Sequence, residues 1–344
     1  MQSYRQYVGL DVHKKFVYGA VKDKEGNILF KKKFKTEPDD MDLFLLNVMK
    51  DDSIVAIESC SCWQYTYDYL SDAGYNVVLA HPLGVKALKK IRKHTDEHDA
   101  ELLADLLRAN MLPRSYAAPE DIRVKRQITR HKHSLVCLQT QIINMSHAIL
   151  LRHGINNLPY TDAFCKKGIQ YLQSLDLPSC DRFELDQYLG LIQMLEDKKK
   201  DSVEAIEQIA YEDPSVRLVM TMPGMGHYAA TTFVAEVGDI RRFEHKDKVA
   251  SFAGLAPKIY QSGETLRLGH ITKQGNSNLR HVMVQAANVA VQHDATLKKV
   301  YERLAFKKGH QKAVVAVARR MVTLLYVMLK HNLEYHALQI HKAT

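Results

Sequence analysis

Residues 7–15, YVGLDVHKK, constrain this chain more tightly than any other stretch. An apolar, β-prone run (Tyr7, Val8, Leu10) delivers one carboxylate, Asp11, and the chain turns basic at once with His13, Lys14 and Lys15. A second β-type run, 16–21, leads into a turn-like segment, 22–27, and a third run, 28–34, closes a meander. A buried strand that ends in a lone acid must give it water or a partner, because an ionised carboxylate against a core is costly. A metal ion is one such partner, and a solvated strand end is the other.

The strands continue. Helical patterning over 38–49 precedes a strand at 53–58, a helix at 63–74 that stops at Gly74, and a buried-type strand at 76–80. A basic helix and an apolar-faced helix over 99–110 follow. An antiparallel start followed by βαβ units predicts an α/β domain with a mixed sheet over 1–112. Pro113 and Pro119 bound a short linker, and 113–212 then reads as helical, with 185–210 amphipathic and charged like a long antiparallel hairpin or coiled-coil pairing surface. The fold class expected is α/β plus all-α, with a mostly helical third part over 213–344.

In that third part, Met222-Pro-Gly-Met-Gly226 before a helix has the form of a helix-hairpin-helix turn. Gly224 and Gly226 would let backbone N–H groups approach a phosphate at a helix N-terminus, a plain turn being the alternative. Residues 252–257, FAGLAP, lead to a polar loop over 258–269 that holds Ser262 and Gly263.

Charge narrows the partner. Lys+Arg 48 against Asp+Glu 39 gives +9, with 17 further histidines, a balance that favours a polyanion. The excess clusters at 86–93, 123–132 and 307–320. One such basic face is ordinarily solvated surface; three in one chain point to nucleic acid. Lys14, Lys89, Lys90, Arg92, Lys93, Arg126 and Arg130 are the candidate contacts there. Five cysteines form no even framework and no CxxC pair, which fits a reducing cytoplasm better than a disulfide scaffold. Cys60 and Cys62 lack partners for zinc and read as packing. No signal peptide pattern precedes Tyr7, and the apolar run 313–329 is interrupted by Arg319 and Arg320, so a soluble protein without a membrane partner is expected.

Three acids join Asp11. Glu58 ends the strand 54–57 as Asp11 ends its own, and Asp96 and Asp99 stand three apart, sharing a face if helical. Each has an ordinary role by itself, Asp96 and Asp99 as helix caps. Together, from two strand ends and one helix start, they suit two hard cations that activate a water and steady the leaving oxygen of a phosphodiester. Oxygen ligands suit Mg²⁺ or Mn²⁺.

At this point the chain resembles the DEDD transposases of the insertion-sequence family numbered one hundred and ten. Gly9-Leu10-Asp11, a strand ending in Glu58, and Lys93-His-Thr-Asp96-x-x-Asp99-Ala100 carry the likeness in the first part. Met222–Gly226, Phe252–Pro257, Ser262-Gly263, Ile271-Thr-Lys273-x-Gly275 and Leu279-Arg280 carry it in the last. The resemblance implies a RuvC-like domain of the RNase H fold whose tetrad falls on Asp11, Glu58, Asp96 and Asp99. It implies a nucleophilic Ser262, supplied by another subunit, that attacks the phosphodiester and holds DNA as a phosphoserine. It also implies a bridge RNA that pairs with donor and target DNA, and a homo-oligomer, a dimer assembling to a tetramer. Arg267, Lys273 and Arg280 are then candidate phosphate contacts.

Rival classes make different demands. An actin-like or sugar-kinase ATPase needs a glycine soon after the strand-end Asp, where Val12-His13-Lys14 stand. A junction nuclease shares the carboxylates without calling for Ser262. A pure binding protein leaves all four acids as surface.

Overall fold

The computed structural model describes residues 4–89, 95–262 and 265–336. The chain divides into two compact units, Met1–Ala117 and Ala118–Thr344.

In the first unit β1 (Gln6–Val12), β2 (Phe16–Lys22) and β3 (Ile28–Lys35) form the expected antiparallel meander. Helix α1 (Pro38–Leu45) and a 3-10 turn at Lys50–Asp52 lead to β4 (Ser53–Glu58), which lies parallel to β1. Helix α2 (Trp63–Asp72) leads to β5 (Val77–Ala80), parallel to β4. After α3 (Pro82–Lys89) and α4 (Asp96–Arg108), the two-residue β6 (Arg114–Ser115) closes the edge antiparallel to β5. The order β3-β2-β1-β4-β5-β6 is a mixed sheet, compatible with a RuvC-like DEDD domain.

Strand alternation assigns the two faces. Val8, Leu10 and Val12 of β1 and Val55 and Ile57 of β4 face a core that includes Met41 and Phe44 of α1 and Leu70 of α2. Tyr7 of β1 and Ile54 and Ala56 of β4 face Leu103, Leu106 and Leu107 of α4. Gly9 lies on this second face, and α4 comes so close that a Cβ at position 9 would stand 2.0 Å from the Ala100 carbonyl oxygen and 2.8 Å from Ala104 N. Three ion pairs tie α4 to the sheet: buried Lys22 to Asp105 at 2.8 Å, and Lys31 of the edge strand to Glu97 and to Glu101. The helix begins at Asp96 and not at 99 as expected, because Thr95 caps it: its Oγ1 accepts from His98 N at 3.4 Å.

In the second unit α5 (Glu120–Arg152) and α7 (Ser179–Glu212) lie side by side and antiparallel, joined through α6 (Lys166–Ser174). Each is roughly 50 Å long at 1.5 Å per residue. Pairs along their length fix the direction: Lys125 with Asp213 at 2.6 Å, Gln139 with Glu196 at 3.0 Å, Arg152 with Asp181 at 3.0 Å. By length and composition α5 is apolar enough to cross a bilayer, which the sequence reading assigned to no segment. Here its Ile149 and Leu150 pack on Leu172 of α6 and Leu185 and Leu189 of α7. Then come α8 (Pro214–Met220), α9 (His227–Val237), a 3-10 turn at Ile240–Arg242, α10 (Lys246–Phe252), β7 (Pro257–Ser262), β8 (Thr265–Ile271), α11 (Ser277–His293), α12 (Ala295–Lys308) and α13 (His310–His331). Buried residues of α8–α11 and α13 form one core, which Ala210 of α7 joins. The helical middle and the C-terminal segment, read separately in the sequence, are one unit for that reason.

The segment 258–269, expected as a polar loop, is instead a hairpin in which β7 and β8 pair antiparallel from Pro257 opposite Ile271 to Ser262 opposite Thr265. Its alternation of apolar and polar residues is the strand signal.

Gly9→Ala is expected to destabilise the first unit by about 1–3 kcal/mol, because the added methyl meets backbone that cannot rotate away. Urea denaturation measures it.

Candidate active site

The close seat of α4 delivers its first turn to the end of β1. Asp11 is the next-to-last residue of β1, and Leu10 pairs with Ile57 of β4, so Asp11 and Glu58 stand side by side on the face that α4 covers. Asp96 opens α4 and Asp99 lies in the same first turn. Just past β1, the tight connection to β2 brings back His13, whose N–H donates to the Phe16 carbonyl at 2.9 Å. His13 Nε2 lies 2.9 Å from Asp11 Oδ2 and 3.6 Å from Asp96 Oδ1. Ligand atoms of Asp11, His13 and Asp96 all fall within 4.8 Å of one another. Glu58, beside Asp11 by strand register, and Asp99 are not members of this trio.

Burial pushes the Asp11 carboxyl above its ordinary value; the hydrogen bond and charge of His13 pull it down, and the nearby Asp99 and Asp96 carboxylates push it up, with a net rise. Asp99 is thus within electrostatic reach of Asp11. A dication fits this donor set: two carboxylates and an imidazole converge with their ligand atoms within 4.8 Å of one another.

Cys60 and Cys62 follow Glu58 but are no part of a metal site. Both Sγ atoms lie on the Val12 carbonyl, at 3.3 and 3.4 Å, and 3.5 Å from each other. Burial pushes the Cys60 thiol up to about 11, so it stays protonated and packs, as the sequence suggested.

The sequence reading missed two features. His13 was passed over as part of a basic run, although its spacing of two from Asp11 across a strand end was visible. Lys31, Lys33 and Lys35 of β3 alternate onto the same sheet face as Asp11, since Asp11 pairs with Tyr18 and Tyr18 with Lys33. The Lys33 ammonium sits 3.8 Å from the centre of the Phe16 ring. Lys33 and Lys35 add positive charge to that face, whereas Lys31 is taken by Glu97 and Glu101.

In the second unit several expected phosphate contacts have partners inside the fold. Arg126 donates to the carbonyls of Ala235 and Glu236 at 2.7 and 3.1 Å. Arg130 forks onto the buried Glu236 carboxylate with both bonds at 2.7 Å, leaving its side chain half exposed. Asn276 Nδ2 donates to the same carboxylate at 2.6 Å and its Oδ1 caps α11. Arg280 donates to the carbonyls of Ala253 and Lys273 at 3.3 and 3.2 Å. Gly224 serves packing: its φ is +85° and a Cβ there would meet the Ala286 carbonyl at 2.4 Å. Arg126 and Arg280 thus reach carbonyls, and Arg130 a carboxylate, where elements of the second unit meet. Gly226, the N-cap of α9, faces open space and borders a cleft of about 380 Å³ with His227, His281 and Gln285. Lys273 is exposed, with a left-handed φ of 54°. Ser262 ends β7; its side chain and those of Lys89 and Arg267 lie outside the described residues, as do Lys90, Arg92 and Lys93.

Strand-end and helix-start carboxylates on a mixed sheet, in a chain this basic, define a DEDD-type enzyme acting on nucleic acid. Two sequence models of one transposase family match the chain, the DEDD transposase model over residues 8–155 and the "Transposase IS116/IS110/IS902 family" model over 216–302. The transposase for insertion sequence element IS1328 of Yersinia enterocolitica is 27% identical over 83% of this chain and 84% of its own length. That for IS1111A of Coxiella burnetii is 25% identical over 82% and 79%. The chain belongs to the IS116/IS110/IS902 family; it is a DNA transposase, and its substrate is DNA.

Two outcomes follow from these charges. Burial raises the Glu236 pKa, but the Arg130 hydrogen bonds and charge, the Asn276 bond and the Arg126 charge outweigh it, and the net shift is downward. Its contribution to stability is therefore present above the ordinary value near 4.5 and is lost as pH falls through the lowered folded value. Glu236→Gln should cost about 2–3 kcal/mol at pH 7, less than a fully buried pair because Arg130 is half exposed. Urea titrations at pH 7 and in acid should show the difference from wild type shrinking. For Asp11, thermal melts should show wild type stabilised by millimolar Mg²⁺ or Mn²⁺ and Asp11→Asn insensitive, since a ligand bound only to the folded state adds about 2.7 kcal/mol at a hundredfold excess over Kd.

Proposed function

We propose that this transposase is a site-specific recombinase that cuts and rejoins DNA strands through a covalent phosphoserine intermediate. The observation that carries the reading is the convergence of strand-end Asp11 with Asp96 on the face that Glu58 and Asp99 share, in a chain of a DNA transposase family. Asp11, Glu58, Asp96 and Asp99 would hold Mg²⁺ or Mn²⁺, which when bound supplies Lewis acidity to a scissile phosphate and lowers the proton affinity of a hydroxyl. Ser262 exchanges one phosphorus–oxygen bond of the DNA for a bond to its own oxygen, and the freed DNA oxygen later reverses that exchange on a new strand. Placing the serine at the tip of a hairpin suits a nucleophile that must meet DNA from outside a core.

The nucleic-acid contacts assigned in this reading are Lys14, Lys33, Lys35, Gly226, Lys273 and the basic run through Lys89, Lys90, Arg92 and Lys93, with Arg267. The bridge RNA, the dimer that assembles to a tetramer and the serine supplied by a second copy enter through the family resemblance. A cytoplasmic protein acting on the nucleoid is the setting they require.

A trapping assay tests the reading. Protein, the RNA from its element ends, Mg²⁺ and labelled donor and target DNA are quenched in denaturant and resolved on a gel. A DNA-linked protein band is expected, lost in Ser262→Ala and in Asp11→Ala. Cut DNA with no protein attached, surviving Ser262→Ala, would make the protein a hydrolytic junction nuclease. Binding should also weaken steeply with salt, as phosphate contacts require.

A further inference from the structure

We propose that His13 is a ligand to the divalent cation held by Asp11 and Asp96, and that its nitrogen gives the site a preference for Mn²⁺ over Mg²⁺. The inference rests on the metal-site reading above and deepens it.

Geometry comes first. In an octahedral ion with bonds of about 2.1 Å, neighbouring ligand atoms lie about 3 Å apart and opposite ones about 4.2 Å. His13 Nε2 is 2.9 Å from the nearer Asp11 oxygen and 3.6 Å from the Asp96 oxygen, and the ligand atoms of all three residues fit within 4.8 Å. These separations are those of atoms sharing one coordination sphere with small adjustment.

The imidazole is also held in that place. Its backbone N–H is bonded to the Phe16 carbonyl at 2.9 Å, and the ring stacks on the Phe16 ring at 4.5 Å with 25° between planes. The Lys33 ammonium lies over the same Phe16 ring. A histidine at the tip of a two-strand connection would otherwise sample several rotamers, and ordering it in advance lowers the entropy cost of coordination.

Chemistry then sets the preference. Mg²⁺ favours oxygen and keeps its waters, whereas imidazole suits first-row transition ions, which gain more from a nitrogen donor. A site of carboxylates alone discriminates weakly between Mg²⁺ and Mn²⁺. Exchanging one oxygen donor for nitrogen shifts the balance toward Mn²⁺, by about tenfold in relative affinity.

The experiment uses the full-length protein loaded with Mn²⁺, read by pulsed electron paramagnetic resonance and by competition titration with Mg²⁺. Wild type should show ¹⁴N coupling of a directly bound imidazole and a Mn²⁺-over-Mg²⁺ ratio about tenfold above that of His13→Gln. In His13→Gln the nitrogen coupling should vanish while Mg²⁺ affinity changes less than twofold. His13→Asp should bind both ions and lose the preference, which separates ligation from a folding defect. Mn²⁺ bound in wild type, lost in Asp11→Asn, yet without ¹⁴N coupling, would overturn the His13 assignment and leave the acidic metal site standing. Mn²⁺ binding unchanged by Asp11→Asn would overturn the metal-site reading itself.

Discussion

One close approach governs the catalytic face of this protein: the first turns of α4 lie directly on Gly9 of β1. Any side chain at position 9 would occupy the place of the Ala100 carbonyl, and α4 would have to lift. The apolar residues Leu103, Leu106 and Leu107 drive the helix onto the sheet, and Lys22–Asp105 fixes its far end. The Thr95 cap sets where the helix starts and so where Asp96 and Asp99 stand. Hydrophobic packing and one missing Cβ thus bring together acids separated by 85 positions in the chain, a placement that charge by itself would oppose. The Asp11 proton affinity rises chiefly because its carboxyl is buried there, with the Asp99 and Asp96 carboxylates adding to the rise.

The second unit is organised around an internal charge. Glu236 is buried and receives Arg130, Arg126 and Asn276, so α5, α9 and the start of α11 are bound through a single carboxylate. The loop between β8 and α11, which carries Lys273, is braced on its other side by Arg280 and by Gly254 and Gly275, where Cβ atoms would strike neighbouring backbone. The β7–β8 hairpin therefore springs from a braced base.

These two networks explain which parts of the site could be read beforehand. The strand-end positions of Asp11 and Glu58 followed from alternation along single strands, and the shared face of Asp96 and Asp99 from helical spacing. His13 did not stand out, because in one dimension it is the first member of a basic run; only the turn into β2 folds it back on Asp11. Arg126 and Arg130 carried the opposite ambiguity. Their spacing on a basic helix suits a phosphate backbone, yet a carboxylate more than a hundred positions later in the chain takes them. The lysines of β3 were legible as charges but not as neighbours of Asp11, since that depends on register across two strand pairings.

The sequence by itself determined what is local: where strands end, which helix face is apolar, where a cap starts a helix, and that a basic chain with paired carboxylates handles nucleic acid. Its period-2 and period-3.6 patterns are consequences of backbone geometry and need no partner to be seen. Tertiary structure alone decided which acid meets which histidine, and which arginines find carbonyls and carboxylates inside the fold. Those outcomes depend on distances between residues far apart in the chain, and packing of the two cores, not local preference, sets those distances.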